Sequence, residues 1–207
     1  MSALLRLLQS FRQDTRGGLS VEAVIIMPLL VFTILMTVTL SDLFRANTLS
    51  VKAAYTTADT LSRRADPVTG PYIDGLNTLF AHLARARHDT TLRVSSVAWI
   101  EALDRYVVIW SFGANGRQPL TTANLNQHLS HRMPTLPPGE TVIVVEADME
   151  HVPLIPSWFD VRNFSSVIVT RPRFTPQLRF NDGEEIIFLP DWPPTCDDGE
   201  PLCAPGT

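Results

Sequence analysis

Two glycines and a glutamate near the N-terminus have the spacing of a processing and pairing site. Gly17 and Gly18 close a basic leader, and Glu22 follows four residues after Gly18. Scission of the bond between Gly17 and Gly18 would make Gly18 the first residue. Its new α-amino group, with a reference pKa of about 7.7–8.0, would carry substantial positive charge at neutral pH. Glu22 would then be the fifth residue, one helical turn from that amine. Its carboxylate could approach the amine of its own chain or of a neighbour. In a low-dielectric interior such a pair favours one stagger of neighbouring chains, because leaving either charge alone is strongly unfavourable. Glycine suits the cut for a separate reason. Without a Cβ it adopts an extended conformation readily and lets a peptidase approach the backbone closely.

The element that must position these residues is an apolar run. Ala23 to Leu40 is free of charge, and with Val21 and Glu22 it extends to 20 residues. At 1.5 Å per residue that is about 30 Å, the thickness of a bilayer core. A buried helix of a soluble protein is the competing reading, disfavoured because such helices seldom run so long without polar relief. A cleaved secretory signal is another. It would carry a shorter apolar region and an A-x-A-like site, and the sequence has neither. Arg6, Arg12 and Arg16 precede the run against one acid, Asp14, so the basic excess predicts a cytoplasmic N-terminus and an exported C-terminal part. Pro28 lies within the run. It removes an N–H from the Val24 carbonyl and is expected to kink the helix, either as a tolerated membrane proline or as a weak point used on assembly.

The remaining residues offer little catalysis. Of 17 basic residues, 14 lie beyond Leu40, and of 21 acidic residues 19 do. That acidic balance disfavours nucleic acid as a partner. Cys196 and Cys203 would face an oxidising compartment, so a disulfide closing the loop CDDGEPLC is expected. Two cysteines alone do not make a zinc site. Asp191, Asp197, Asp198 and Glu200 are oxygen donors of the kind calcium takes. Their spacing is not that of an EF-hand loop, and a solvated acidic loop is the favoured reading. His128 and His131 share one face of a short helix with no Cys, Asp or Glu nearby in sequence, so no metal is assigned. The chain has no G-x-S-x-G, phosphate loop or H-E-x-x-H, which predicts neither catalytic residues nor a cofactor.

The expected architecture is α+β, a helical spine on a small antiparallel sheet. Residues 1–17 form a basic leader, either an amphipathic surface segment or a disordered tail. The membrane helix covers 18–40 and continues over 41–66, with Val51, Ala54, Tyr55, Ala58, Leu61 and Ala65 at three- and four-residue steps. Asp66-Pro67 and Gly70-Pro71 end it. The exported domain covers 67–190. A second helix is expected over 73–87 with Leu76, Phe80 and Leu83 on one face. A hairpin of 92–100 and 105–112 follows, connected through Leu103-Asp104, with Tyr106, Val108, Trp110 and Phe112 on a single aromatic face. A short helix over 121–132 is capped by Thr121 or Thr122. Further strands are expected at 141–149 and 165–171, and a short edge strand at 185–189. Residues 191–207 form an acidic, proline-rich tail.

A basic leader ending in glycine, a glutamate at the fifth mature position and an apolar helix resemble a class III signal, the substrate of prepilin peptidase. The finer resemblance is to the TadE-like family of pseudopilins in the Tad (Flp) type IV pilus system. That family shows a small-residue run, then E-x5-P, then aliphatics. Gly17-Gly18-Leu19-Ser20-Val21-Glu22 leads here to Pro28, six residues after the glutamate. The resemblance covers about residues 12–40, with a weaker echo in Arg171-Pro172-Arg173. Ala23 stands where many relatives have an aromatic residue, and Gly18 where mature type IVa pilins begin with phenylalanine. The resemblance implies a pilin-like fold, a single pass through the bacterial inner membrane and a periplasmic domain. It also implies a role in assembly rather than catalysis. Partners would be prepilin peptidase, other Tad pilins or pseudopilins and the inner-membrane assembly platform. An uncleaved membrane-anchored scaffold and a signal-anchored enzyme are the rival expectations.

Overall fold

The computed structural model describes residues 18–101, 104–137, 140–153 and 160–188. The fold is α+β, with one long apolar N-terminal helix and an antiparallel sheet. The chain divides into two compact units, Met1–Leu43 and Phe44–Thr207.

Helix α1 runs without interruption from Gly18 to Ser62, passing through Pro28. Its most apolar 18-residue window has a mean hydropathy of 2.6 and only 6% of it is buried. By length and composition it is a candidate for a single membrane span. Hydroxyls that would be costly in an apolar surrounding turn back on their own helix. Thr33 and Thr37 donate to the carbonyls of Leu29 and Thr33, each at 2.8 Å, and Ser41 donates to Thr37 at 2.7 Å.

In the second unit α1 buries a stripe of small residues: Ser50, Ala53, Ala54, Thr57, Ala58, Leu61 and Ser62. Tyr55 and Ala65, expected on that stripe, are exposed instead. The helix ends at Ser62, four residues before the expected stop. The Arg173 amide takes the Ser62 carbonyl at 2.8 Å, while the Ser62 hydroxyl bonds the Asp59 carbonyl. The closing turn is therefore capped from a distant loop.

Helix α2 spans Gly70–Ala84, starting three residues earlier than expected. Gly70-Pro71 ends nothing here; the proline occupies the first turn, where a missing N–H costs least. The helix stops at Arg85, which is left-handed at φ 54° and donates to the His82 carbonyl. Its buried face is Ile73, Leu76, Phe80 and Ala84, whereas Leu83 is exposed, contrary to expectation.

The main sheet has the order β3-β2-β4-β5, antiparallel throughout, from β2 (Thr90–Ile100), β3 (Arg105–Ala114), β4 (Thr141–His151) and β5 (Arg162–Thr170). The expected hairpin and the two later strands are all present. Three two-residue strands, β1 (Val68–Thr69), β6 (Phe180–Asn181) and β7 (Ile186–Ile187), form a second sheet of order β1-β6-β7. The expected edge strand at 185–189 is therefore β7, at the edge of this small sheet.

One face of the main sheet joins α1 and α2 in a single core. Leu92, Val94, Trp110, Ile143, Val145 and Ala147 pack with Ala54, Ala58, Leu61, Ile73 and Phe80. The expected single aromatic face of β3 is not formed. Trp110 opposes Ser96, but the next pair is Val97 with Val108, so Ile109 is an extra residue in β3. The bulge reverses the alternation. Trp110 and Phe112 join the helix-side core, while Tyr106 and Val108 pack on the opposite face.

That opposite face is covered by residues 115–137. Thr122–Asn124 is α-helical, Leu125–Leu129 a π-turn and Ser130–Arg132 a 3-10 turn, which together make up the expected short helix. Thr121 caps it, accepting from the Asn124 amide at 3.3 Å. Leu125, Leu129 and Leu136 sit on Val97, Val142 and Val144. Asn126 also closes the free edge of β3. Its amide donates to the Tyr106 carbonyl at 2.8 Å and accepts from the Tyr106 N–H at 3.3 Å.

Candidate functional site

Gly18 is the first residue of α1, and Glu22 stands about one turn, roughly 6 Å of rise, further along it. The Glu22 side chain is exposed. Beyond it the helix presents an apolar surface. Val24, Ile25, Ile26, Met27, Leu29 and Leu30 are all exposed. Among the described residues Glu22 makes no ion pair. Gly17, Cys196 and Cys203 lie outside the described residues. Pro28 lies in the exposed stretch, one and a half turns beyond Glu22, and α1 continues through it. The geometry thus joins three of the expected site residues, Gly18, Glu22 and Pro28, on one helix end. That end offers an unpaired carboxylate on an apolar rod.

No family model, curated protein or solved structure matches this chain.

A second polar constellation lies on the far face of the main sheet. Arg93 of β2 meets Glu146 of β4 side by side, with Nε–Oε2 at 2.5 Å and Nη2–Oε1 at 2.7 Å. These residues are cross-strand partners. Arg117 adds a longer contact to Glu146 at 3.5 Å and a direct ion pair with Asp148. Arg93 also donates to the Gln118 carbonyl at 3.1 Å. Glu146 is buried at 4% exposure, so its charge depends on these two guanidinium groups.

Local backbone chemistry brings Arg117 there. Asn115 and Gly116 both have positive φ, 56° and 74°, which folds the chain tightly back after β3. Gly113 then lets the returning chain cross close above it, since a Cβ at Gly113 would collide with the Arg117 carbonyl. Burial lowers the Arg117 pKa, the Glu146 charge acts to raise it and the Arg93 charge to lower it. An arginine remains cationic under such a shift. With both carboxylates engaged by guanidinium groups, the cluster holds no free base. Its role is to pin residues 115–120 over the sheet.

The sequence marks this cluster only weakly. Arg93 and Glu146 are 53 residues apart, and only the strand register unites them. One signal was available, an acid within the strand-like run Thr141-Val142-Ile143-Val144-Val145-Glu146. His128 and His131 are both exposed. Tyr106 has its pKa raised by burial, and its hydroxyl donates to the Pro134 carbonyl at 3.0 Å.

Proposed function

We propose that this protein is a TadE-like minor pseudopilin or pilus-assembly protein of a Tad (Flp) type IV pilus system. It crosses the bacterial inner membrane once through the first half of α1, with the N-terminus cytoplasmic and the pilin-like α+β domain periplasmic. Prepilin peptidase cuts between Gly17 and Gly18. The observation that carries this reading is the exposed Glu22, one turn into a helix whose next large apolar side chains, Val24 to Leu30, are exposed. In hydrocarbon such a carboxylate needs a cation. The ammonium freed at the new N-terminus of an adjacent pilin or pseudopilin supplies one at the right depth.

Cleavage removes the arginine-bearing leader and with it the charges that fix the anchor, which eases withdrawal of the helix from the bilayer. Pro28 provides a point where the helix can bend as it leaves. The second half of α1 stays locked in the exported core through Ala54, Ala58 and Leu61. The protein's work is then assembly, with Glu22 recruiting a neighbour into a priming complex at the inner-membrane platform.

Intact-mass measurement of the protein from its native membrane tests the reading directly. A mass starting at Gly18 is expected. An intact leader in cells that build normal appendages would overturn the processing step and leave an uncleaved membrane-anchored scaffold.

A further inference from the structure

We propose that the hollow at the head of α2 binds a cationic side chain, guanidinium or ammonium, carried on a short basic segment of a protein partner. The hollow has a volume of about 570 Å³ and lies between the first turn of α2 and the β6–β7 turn. Its lining includes Phe112 and Phe180, and Asp74 and Asp182. The two rings pack against each other with centroids 5.7 Å apart, and Trp110 stacks behind Phe180 at 5.0 Å. The aromatic wall is therefore braced from the core. It also needs Gly70, where a Cβ would come within 3.0 Å of the Phe112 ring.

The polar lining has unspent acceptors. Asp182 uses one oxygen, Oδ1, to accept from the Glu184 and Glu185 amides at 3.0 and 2.8 Å. Its Oδ2 has no partner among the described residues. The Asp74 carboxylate has none either, since only its backbone carbonyl is engaged, by Thr78. The hydroxyl of Thr69, at the start of α2, makes no capping bond. These amides hold the Asp182 carboxyl below its ordinary pKa, so it is ionised at neutral pH and stays so as the medium turns mildly acidic.

Acceptors and aromatic rings in one lining select the ligand. An anion would be repelled, and a neutral apolar group would strip water from two carboxylates without replacing it. An arginine or lysine lays its apolar stem on the rings and brings its head to the acids, gaining cation–π and charge-assisted contacts together. The flank of the hollow argues for a peptide over a free small cation. Beyond Asp182 come exposed Glu184 and Glu185, then Ile186 and Phe188, exposed at 40% and 42%. A chain continuing past the hollow would cover them, and a free small cation would not. Residues 189–207 of this protein hold no Lys, Arg or His, so that segment cannot supply the cation.

The test uses the full-length protein in detergent micelles and calorimetric titration with the capped peptide Gly-Leu-Arg-Leu-Gly. Saturable binding is expected, weakened by salt. Replacing arginine by neutral citrulline should weaken it at least tenfold. The double variant Asp74→Asn with Asp182→Asn should also lose at least tenfold. Asparagine keeps the Oδ1 acceptor of the turn, so the thermal midpoint should hold, and Glu150→Gln should bind as the parent does. Equal binding of the citrulline peptide would overturn the proposal, as would no saturable heat at millimolar peptide from protein with a normal midpoint. Free arginine binding as tightly as the peptide would overturn the assignment to a protein partner. None of these readouts involves Gly17, Gly18 or Glu22, so this proposal and the pilus reading stand or fall separately.

Discussion

Two glutamates in apolar surroundings meet opposite fates in this molecule. Glu146 sits in a strand of valines and is buried, yet two guanidinium groups reach it. Glu22 sits in a run of aliphatics and is exposed, and among the described residues it makes no ion pair. The difference is one of geometry. A strand in a sheet places its acid beside cross-strand neighbours, so the fold itself can furnish the counter-charge. On the helix the described residues furnish no such counter-charge, and the acid stands open to a partner from elsewhere. An internal pair stabilises the fold, while an open acid is available to a cation from outside it.

The largest effect that would sharpen this contrast is Arg93→Ala. It strips the side-on partner from a buried carboxylate and should cost about 3–5 kcal/mol. Urea unfolding of the full chain in micelles checks it, and a cycle with Glu146→Ala should show strong coupling. Near-additive losses would mean that the pair acts as two independent surface groups. Next is Leu30→Arg, which should cost about 2.5–3.5 kcal/mol of membrane insertion and release protein on alkaline extraction of membranes. Thr56→Arg, on the exposed side of the second half of α1, should release none. If Leu30→Arg remained as firmly held as the parent, the first half of α1 would not be a span.

Ala54→Leu should come third, overpacking the small-residue seam between α1 and the sheet by about 1–3 kcal/mol. Ile25→Ala, in the exposed half of the same helix, should leave the urea midpoint unchanged. Smallest in stability is Glu22→Gln, within about 0.5 kcal/mol of the parent. Its expected effect lies elsewhere, in loss of co-purifying pilin partners. Normal pili and the same partners from that variant would end the charge-pairing idea.

The elements that periodicity can show were legible from the sequence. The apolar run of 23–40, the helical steps through Ala54, Ala58 and Leu61, and the β-branched runs on either side of Leu103-Asp104 each announce their period locally. What escaped was non-local. The Ile109 bulge, which sends Trp110 and Tyr106 to opposite faces, depends on the partner strand and leaves no trace in β3 alone. The small sheet is built from two-residue strands, too short for any pattern, and pairs Val68 with Phe180 across the chain. Gly70-Pro71 was ambiguous in principle, since the same dipeptide can stop one helix and start the next. At the candidate site, Gly18, Glu22 and Pro28 were visible because one helix carries all three. The Arg93–Glu146–Arg117 cluster was not, because it exists only once three distant segments are brought together.

Asn126 has a consequence for what can pair with β3. With its amide it answers both hydrogen-bonding groups of Tyr106, imitating a neighbouring strand with a single side chain. An open rim on β3 would invite sheet after sheet to join. With Tyr106 answered in this way, a strand arriving at β3 must first displace Asn126 before it can pair there.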